Sequence, residues 1–245
     1  MVFLSFLLAG CDAFFGVNIL KGLDKVPAPN PSQYDYATSG DAGLKKLQTD
    51  LGSQAIINAL TGDPSATATI ESNLQTTYND ATVPLADRQL AATLSGDVNL
   101  KTTGGSAVVN NALPVATSGT SGQTVKDILQ QIVPANVASD PTAFAATVNA
   151  FLNACAAYAV LGGTVPPAPS GINMGDVAQK AAVAWTVQYL VTQIGGGTQN
   201  AIDQMFSLLN NGPYSGPSTI DPFAGGTAPG WLQNIFTAAG ATMPS

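Results

Sequence analysis

The fold is decided by residues 140–163, which read DPTAFAATVNAFLNACAAYAVLGG. Asp140 is a favourable helix N-cap, and Pro141 has its backbone angle φ fixed at the value that the first helical position requires. Large apolar residues then recur at helical spacing, with alanines between them, until two glycines end the run. This pattern predicts a helix over 142–161 whose small side chains allow close packing against other helices. Its apolar stripe is Phe144, Val148, Phe151, Leu152, Cys155 and Tyr158.

Similar helix start and stop signals occur along most of the chain. Segments with a 3.6-residue apolar period begin at Asp-Pro, Pro or Ser-Gly-Asp sequences and end at glycines. Alternation of apolar and polar residues, which marks a half-buried strand, is not sustained over any long segment. The sequence therefore predicts an all-α protein, either an irregular helical bundle or an array of antiparallel helix pairs. The further predicted helices cover residues 14–23, 41–60, 64–78, 84–96, 98–113, 125–133, 174–194, 201–209 and 231–238.

Charge is scarce in this chain. Among 245 residues, 9% are charged, against roughly 25% in average soluble proteins. Eight Lys and Arg face fifteen Asp and Glu, which gives a net charge of −7, and Arg88 is the single arginine. Because such a chain has no basic patch to neutralise phosphates, we expect no nucleic-acid partner. Histidine is absent, which removes His-based catalytic triads and His metal sites.

The residue types that carry catalysis do not form a recognisable constellation. A Gly-x-Ser-x-Gly elbow, a phosphate-binding loop with Lys and an Asp-x-Asx-x-Asx calcium loop are all missing from the sequence. Glu71 and Arg88 could form an ion pair across a helix hairpin, and such a pair would have a structural role. We therefore expect no enzymatic activity, no catalytic residue, no cofactor and no metal site. Capping and turn formation beside Gly or Pro explain Asp63, Asp97, Asp140, Asp176 and Asp221.

The amino terminus carries a second strong pattern. Residues 2–9 form an apolar run that is too short to span a bilayer but has the length of the apolar part of a signal peptide. The sequence Leu8-Ala9-Gly10-Cys11 resembles the lipobox of bacterial lipoproteins, in which cleavage leaves an acylated Cys as the first mature residue. No Lys or Arg precedes the run, unlike the usual pattern. The resemblance implies lipidation at Cys11 and anchoring to the membrane of a bacterial cell envelope, on the periplasmic face or the cell surface.

Two further expectations depend on the lipobox. Asp12, directly after the acylated Cys, resembles an inner-membrane retention signal of Gram-negative lipoproteins, a rule that varies between lineages. Acylation of Cys11 would leave Cys155 alone, as a structural thiol among alanines without the cation or helix start that activates one. The alternatives are an apolar helix start with an ordinary buried Cys11, and a Cys11–Cys155 disulfide.

A repeat pattern is present over residues 40–112. Gly62-Asp63 and Gly96-Asp97 lie 34 residues apart, which is the period of the tetratricopeptide repeat. The hexapeptide ALTGDP at 59–64 resembles the end of that repeat, so 64–97 would form one helix-turn-helix unit broken at a proline. The Trp, Gly, Tyr and Ala positions of the full repeat are not recovered, and no third copy follows. A tetratricopeptide-like array and an irregular bundle therefore stay alternatives.

The domain organisation follows from these patterns. We expect a signal peptide over 1–10 and a lipid-anchored tether over 11–39, in which three spaced prolines favour extended backbone. The helical body then covers 40–245. The Ser-, Thr- and Gly-rich stretch near 114–123 marks a candidate internal boundary.

Two functions fit this organisation. The first is that of a non-enzymatic envelope lipoprotein whose helical body scaffolds or binds another envelope protein. The second is accessory small-molecule binding in an apolar pocket between helices. A concave groove would favour the first function, and a closed apolar cavity would favour the second. The aromatic residues expected nearest such a pocket are Phe151, Tyr158, Trp185 and Tyr189, although core packing explains the same side chains.

Overall fold

The computed structural model describes residues 26–118, 124–165, 167, 169–223 and 228–243. These residues form eleven α-helices and one 3₁₀-helix, and no strand occurs among them, which confirms the predicted all-α class. The elements are a 3₁₀-helix Pro31–Tyr34, α1 Tyr36–Asp50, α2 Gln54–Thr61, α3 Pro64–Asn79, α4 Leu85–Lys101, α5 Gly105–Ser118, α6 Val125–Ile132, α7 Ala135–Ala138, α8 Pro141–Gly162, α9 Met174–Ile194, α10 Thr198–Leu209 and α11 Gly230–Ala238.

Helix α8 is the central helix of the fold. It packs most extensively against α4, α9 and α11, and further against α5, α7 and α10. Its bounds agree with the predicted helix over 142–161, and Asp140 Oδ1 caps it by accepting hydrogen bonds from the amides of Thr142 and Ala143. By length and composition α8 would also be able to cross a membrane, but 56% of its most apolar window is buried inside the fold. In this structure it is a core helix.

Helix α4 crosses α8 at Gly96. A Cβ atom at this position would lie 2.6 Å from Tyr158 Cε1, so the tyrosine ring occupies the space that any side chain at residue 96 would require. The prediction that a glycine ends a helix over 84–96 is therefore wrong, because α4 continues through this contact to Lys101. Helix α5 begins at Gly105, so the predicted helix over 98–113 is divided between α4 and α5.

The predicted helix over 41–60 is also two helices. Ser53, between α1 and α2, has an extended backbone with φ −98° and ψ 118°. Lys101 Nζ, at the end of α4, donates to the Leu51 carbonyl at 3.1 Å and satisfies one of the free carbonyl groups at the end of α1. The lysine is distant in sequence, so the local pattern does not reveal this contact.

Residues 31–39, which the sequence assigns to the tether, pack on the helical body. Tyr34 is 1% exposed, and its hydroxyl donates to Asp50 Oδ2 at 2.6 Å. The Tyr36 hydroxyl donates to Asp87 Oδ2, near the start of α4, at 2.8 Å. The body therefore begins before residue 40, while the predicted signal peptide, Cys11 and the first part of the tether lie outside the described residues.

The helices on both sides of the candidate boundary share one core. Buried residues of α3 and α4 belong to the same apolar cluster as those of α8, α9 and α10. The stretch 114–123 lies partly at the end of α5 and partly outside the described residues. Helices α3 and α4 form the helix-turn-helix predicted within 64–97, but the second helix extends past that unit. The tetratricopeptide resemblance itself stays a prediction.

Candidate functional site

The four aromatic residues predicted near a pocket do not converge on one cavity. Phe151 and Tyr158 are 1% and 0% exposed, in the central helix. Trp185 and Tyr189 are half-buried on α9, where their rings lie 5.9 Å apart. Trp185 also meets Trp231 of α11 edge to face at 6.5 Å, and its Nε1 donates to the Pro222 carbonyl at 2.9 Å. These contacts are those of a packed core and its covering loop.

Phe151 lines a small apolar cavity between α5, α6, α8, α9 and α10. The cavity volume is about 30 Å³, which is the space of about one water molecule. Thr147 is the polar residue in its wall, and the Thr147 hydroxyl is already used to donate to the Ala143 carbonyl at 2.8 Å. The cavity is much smaller than the roughly 300–1,000 Å³ of typical ligand sites. Neither Tyr158 nor the tryptophans line it.

A larger concavity lies on the surface between the first turn of α8 and helix α10. This groove is open to solvent and has a volume of about 300 Å³. Apolar side chains contribute most of its surface, and three polar side chains stand beside them. The lining residues are Pro141, Thr142, Ala145, Gln199, Ile202, Asp203 and Phe206.

A third feature is a group of buried polar residues along α4. Helix α4 is enclosed by neighbouring helices, and its residues Gln89, Thr93, Ser95 and Asn99 are all at most 7% exposed. Thr93 and Asn99 donate their side-chain hydrogens to carbonyls one turn earlier in the same helix. Gln89 Nε2 donates to carbonyls of the proline-rich loop that follows α8. Gln89 therefore links α4 to that loop, while Thr93 and Asn99 bond within α4.

The centre of this polar group is Glu71 of α3. Ser95 Oγ donates to Glu71 Oε2 at 2.9 Å, while Oε1 is buried and has no hydrogen-bond partner. Burial raises the pKa of Glu71 to about 7, although the hydrogen bond from Ser95 and the nearby Asn99 amide favour the charged form. The open question of a Glu71–Arg88 pair is answered by the structure, because Arg88 Nε donates instead to the Tyr78 carbonyl at 3.2 Å.

Tyr158 of α8 approaches α4 at Gly96, the residue after Ser95. Its hydroxyl is buried without a partner, directly against Gly96. Burial raises the pKa of Tyr158, and the carboxylates of Asp97, Asp176 and Glu71 raise it further. Among the side chains that the structure describes, Tyr158 Oη and Glu71 Oε1 are the two buried polar atoms without a partner, and both face the middle of α4.

An ion-pair network connects α4 to α9 beside this group of polar residues. Lys180 Nζ lies 2.7 Å from Asp97 Oδ1 and 2.5 Å from Asp176 Oδ2, and Lys101 Nζ lies 3.4 Å from Asp97 Oδ2. Burial opposes the charge of Lys180, but the two carboxylates outweigh it and raise its pKa. Asp97 is therefore not a cap or turn residue as predicted. It is a helix-interior residue that links α4 to α9.

Other aspartates do serve local structure. Asp63 accepts from the Ala66 amide as the cap of α3, which confirms the sequence interpretation, as does the cap at Asp140. Asp127 forms a capping box with Thr124 at the start of α6. Among the described residues, no three His, Cys, Asp or Glu side chains come together as a metal-ligand set.

Cys155 is a buried thiol in an apolar surrounding. It is 5% exposed, and burial raises the pKa of its thiol to about 12. Because the thiolate is the reactive form, this cysteine is held inert at neutral pH, which agrees with its predicted structural role. Its proposed alternative, a disulfide with Cys11, involves a residue outside the described part of the chain.

Sequence reasoning missed the polar centre on α4. The chain has one glutamate, and Ser95 and Asn99 stand at i and i+4, which places them on one helix face. Those signals identify a shared face but not its burial. No protein-family model, no curated protein and no solved structure matches this chain. The class that the structure itself defines is a single-core all-α bundle with a buried polar centre and an open groove.

Proposed function

We propose that this protein is a non-enzymatic lipoprotein of the bacterial cell envelope whose helical body docks a segment of another envelope protein. The lipobox at Leu8-Ala9-Gly10-Cys11 supports membrane anchoring through the lipid. The observation that carries the docking function is the groove of about 300 Å³ between α8 and α10, because it is concave and open to solvent. A groove of this shape accepts a side chain from a protein partner.

The chemistry of the groove indicates the kind of segment that fits. Phe206 and Ala145 are partly exposed and offer an apolar surface beside the buried Ile202, and burial of an apolar partner side chain there contributes about 25 cal/mol per Å². Asp203 lines the same groove and accepts from Gln199 Nε2 at 2.8 Å, with no ion pair to a described lysine or arginine. We infer a partner segment with a large apolar side chain next to a Lys or Arg.

Small-molecule carriage has weaker support. The small apolar cavity beside Phe151 has room for about one water molecule and not for a metabolite. Of the predicted aromatic residues, Trp185 and Tyr189 are engaged in ring contacts within the fold, and Phe151 and Tyr158 are buried in its core. Docking therefore remains the function that the geometry supports best.

The test is mild crosslinking in intact envelopes, followed by purification of the tagged protein and mass spectrometry. The wild type should recover one partner in near-stoichiometric amount. Ala145→Arg fills the groove and should reduce that recovery at least tenfold. Ala146→Arg is the matched control, since Ala146 is the exposed next residue of α8 and does not line the groove. Equal recovery with both variants, or no partner with the wild type, would contradict docking at this groove.

The anchor is tested separately by Cys11→Ala. This change removes the acyl acceptor, so the protein should move from the membrane fraction to the soluble fraction while its circular dichroism spectrum is unchanged. A wild-type protein that is already soluble and carries no lipid by intact-mass measurement would show that the lipobox interpretation is wrong.

A further inference from the structure

The contact between α3 and α4 is built around a carboxyl group with too few donors. Glu71 Oε2 accepts one hydrogen bond, from Ser95 Oγ, and Glu71 Oε1 is buried with none. An ionised carboxylate needs donors at both oxygens, whereas a protonated carboxyl group carries no charge to be compensated. Burial of a charge without full pairing is costly. The observed arrangement therefore suits the protonated form.

The neighbours on α3 and α4 do not supply a compensating positive charge. Arg88 is directed to the Tyr78 carbonyl at 3.2 Å. Lys101 lies 3.4 Å from Asp97, which is itself acidic. Tyr78 is the titratable residue of α3 nearest Glu71, and both burial and the Glu71 charge raise its pKa. The proton is thus the remaining means of neutralising Glu71 on these two helices.

The other elements packed against α3 also provide no positive charge that pairs with Glu71. Helix α2 carries no titratable side chain. On the 3₁₀-helix and α1, Tyr34 and Lys46 both bond to Asp50, at 2.6 and 2.8 Å. Helix α8 presents Tyr158, whose buried hydroxyl has no partner. No described cation therefore pairs with Glu71 from any of these elements.

We propose that the α3–α4 contact is a proton-controlled latch. With a proton on Glu71, α3 is seated on α4 as in this structure. Loss of the proton loosens α3 and admits water to the face of α4 that carries Ser95 and Asn99. This inference concerns a different part of the molecule from the groove and does not depend on the docking function.

The latch operates near neutral pH. Burial raises the pKa of Glu71 to about 7 from an ordinary value of 4.5, so the closed state binds the proton more tightly than the open state. The stabilisation is fully present below pH 4.5 and is lost as the pH rises toward 7. From pH 5 to pH 8 the opening equilibrium of α3 should therefore rise roughly 70-fold. The pKa values of Asp41, Asp50, Asp80 and Asp127 are lowered, so these groups titrate below that window.

The experiment is amide hydrogen exchange of the full chain between pH 5 and 8, corrected for the intrinsic exchange rate and read on peptides from α3 and α9. In the wild type, protection of α3 should fall with rising pH while protection of α9 stays nearly constant. Glu71→Gln keeps the shape and removes the titration, so its α3 protection should be independent of pH. Asp80→Asn, at the exposed end of α3, should keep the wild-type slope.

Ser95→Ala gives a second variant that does not remove the carboxyl group. It deletes the hydroxyl that favours the charged form, so the midpoint of the α3 transition should move to higher pH. A flat wild-type profile, or the same slope in Glu71→Gln, would overturn the latch. So would an equal change in α3 and α9, since Glu71 would then set only the global stability.

Discussion

At the residue scale, the structure depends on two close contacts that α8 makes through glycine. Tyr158 covers Gly96 of α4, and the Trp231 backbone lies against Gly162, where a Cβ would come 2.8 Å from the Trp231 carbonyl carbon. Asn234 Nδ2 donates to the Gly162 carbonyl at 2.9 Å and fixes this second contact. In the sequence both glycines have the properties of helix stops, and only the packing distinguishes them from the ordinary stop at Gly163.

Gly96→Ala should destabilise the protein. The new methyl group would overlap the Tyr158 ring, and overpacking of this kind typically costs 1–3 kcal/mol, while the better helix propensity of Ala returns at most about 1 kcal/mol. We expect a net loss of about 1–2 kcal/mol in the free energy of unfolding, measured by urea denaturation.

Gly163→Ala is the matched control for this change. Gly163 has an ordinary right-handed conformation, with φ −73°, and a Cβ there would contact nothing closer than 3.4 Å. Its stability should stay within about 0.5 kcal/mol of the wild type. A Gly96→Ala variant as stable as this control would show that the α4–α8 contact relaxes without cost.

At the element scale, capping by side chains sets where several helices begin. Asp63 and Asp140 each precede a proline and cap the helix that follows, and Asn173 caps α9 by accepting from the amides of Gly175 and Asp176. These side chains accept hydrogen bonds from amides of the first helical turn, which have no acceptor within the helix itself. Because the caps act within three residues, the starts of α3, α8 and α9 were predictable from local sequence.

Asp140→Ala should weaken the first turn of α8. The change removes the acceptor for two amides and should lower the free energy of unfolding by about 1 kcal/mol. Asp140→Asn keeps the acceptor and should be nearly neutral, because Asn is an equally favoured cap. Thermal unfolding of both variants provides the measurement. A similar loss in the two would assign the effect to the charge of Asp140 and not to the cap.

At the scale of the whole molecule, the described helices share one apolar core. The apolar cluster runs from α1 to α11 without interruption, and the Asp97–Lys180 pair at 2.7 Å joins helices from either side of the stretch 114–123. Domains that fold separately would not share a core in this way. The candidate boundary therefore has a direct test in equilibrium unfolding.

Two probes distinguish one unit from two. Trp185 and Trp231 are the two tryptophans of the chain, and both lie after residue 123, so their fluorescence reports the second half alone. Circular dichroism at 222 nm reports helices of both halves. The two transitions should coincide in urea, as expected for two-state unfolding. A fluorescence midpoint clearly separated from that of circular dichroism would establish an internal boundary.

The sequence by itself determined the all-α class, the central helix and most helix starts. Caps, glycine stops and a 3.6-residue period act over a few residues, so they can be recognised without knowledge of the rest of the chain. The tertiary structure alone decided that α4 passes through Gly96, that Lys101 bonds to the end of α1, and that the four predicted aromatic residues do not line one cavity. It also placed the lone glutamate without a cation at the α3–α4 contact. Residues distant in sequence decide whether a side chain is buried and whether a counter-charge lies near it. A local sequence pattern does not show which distant residues come into contact.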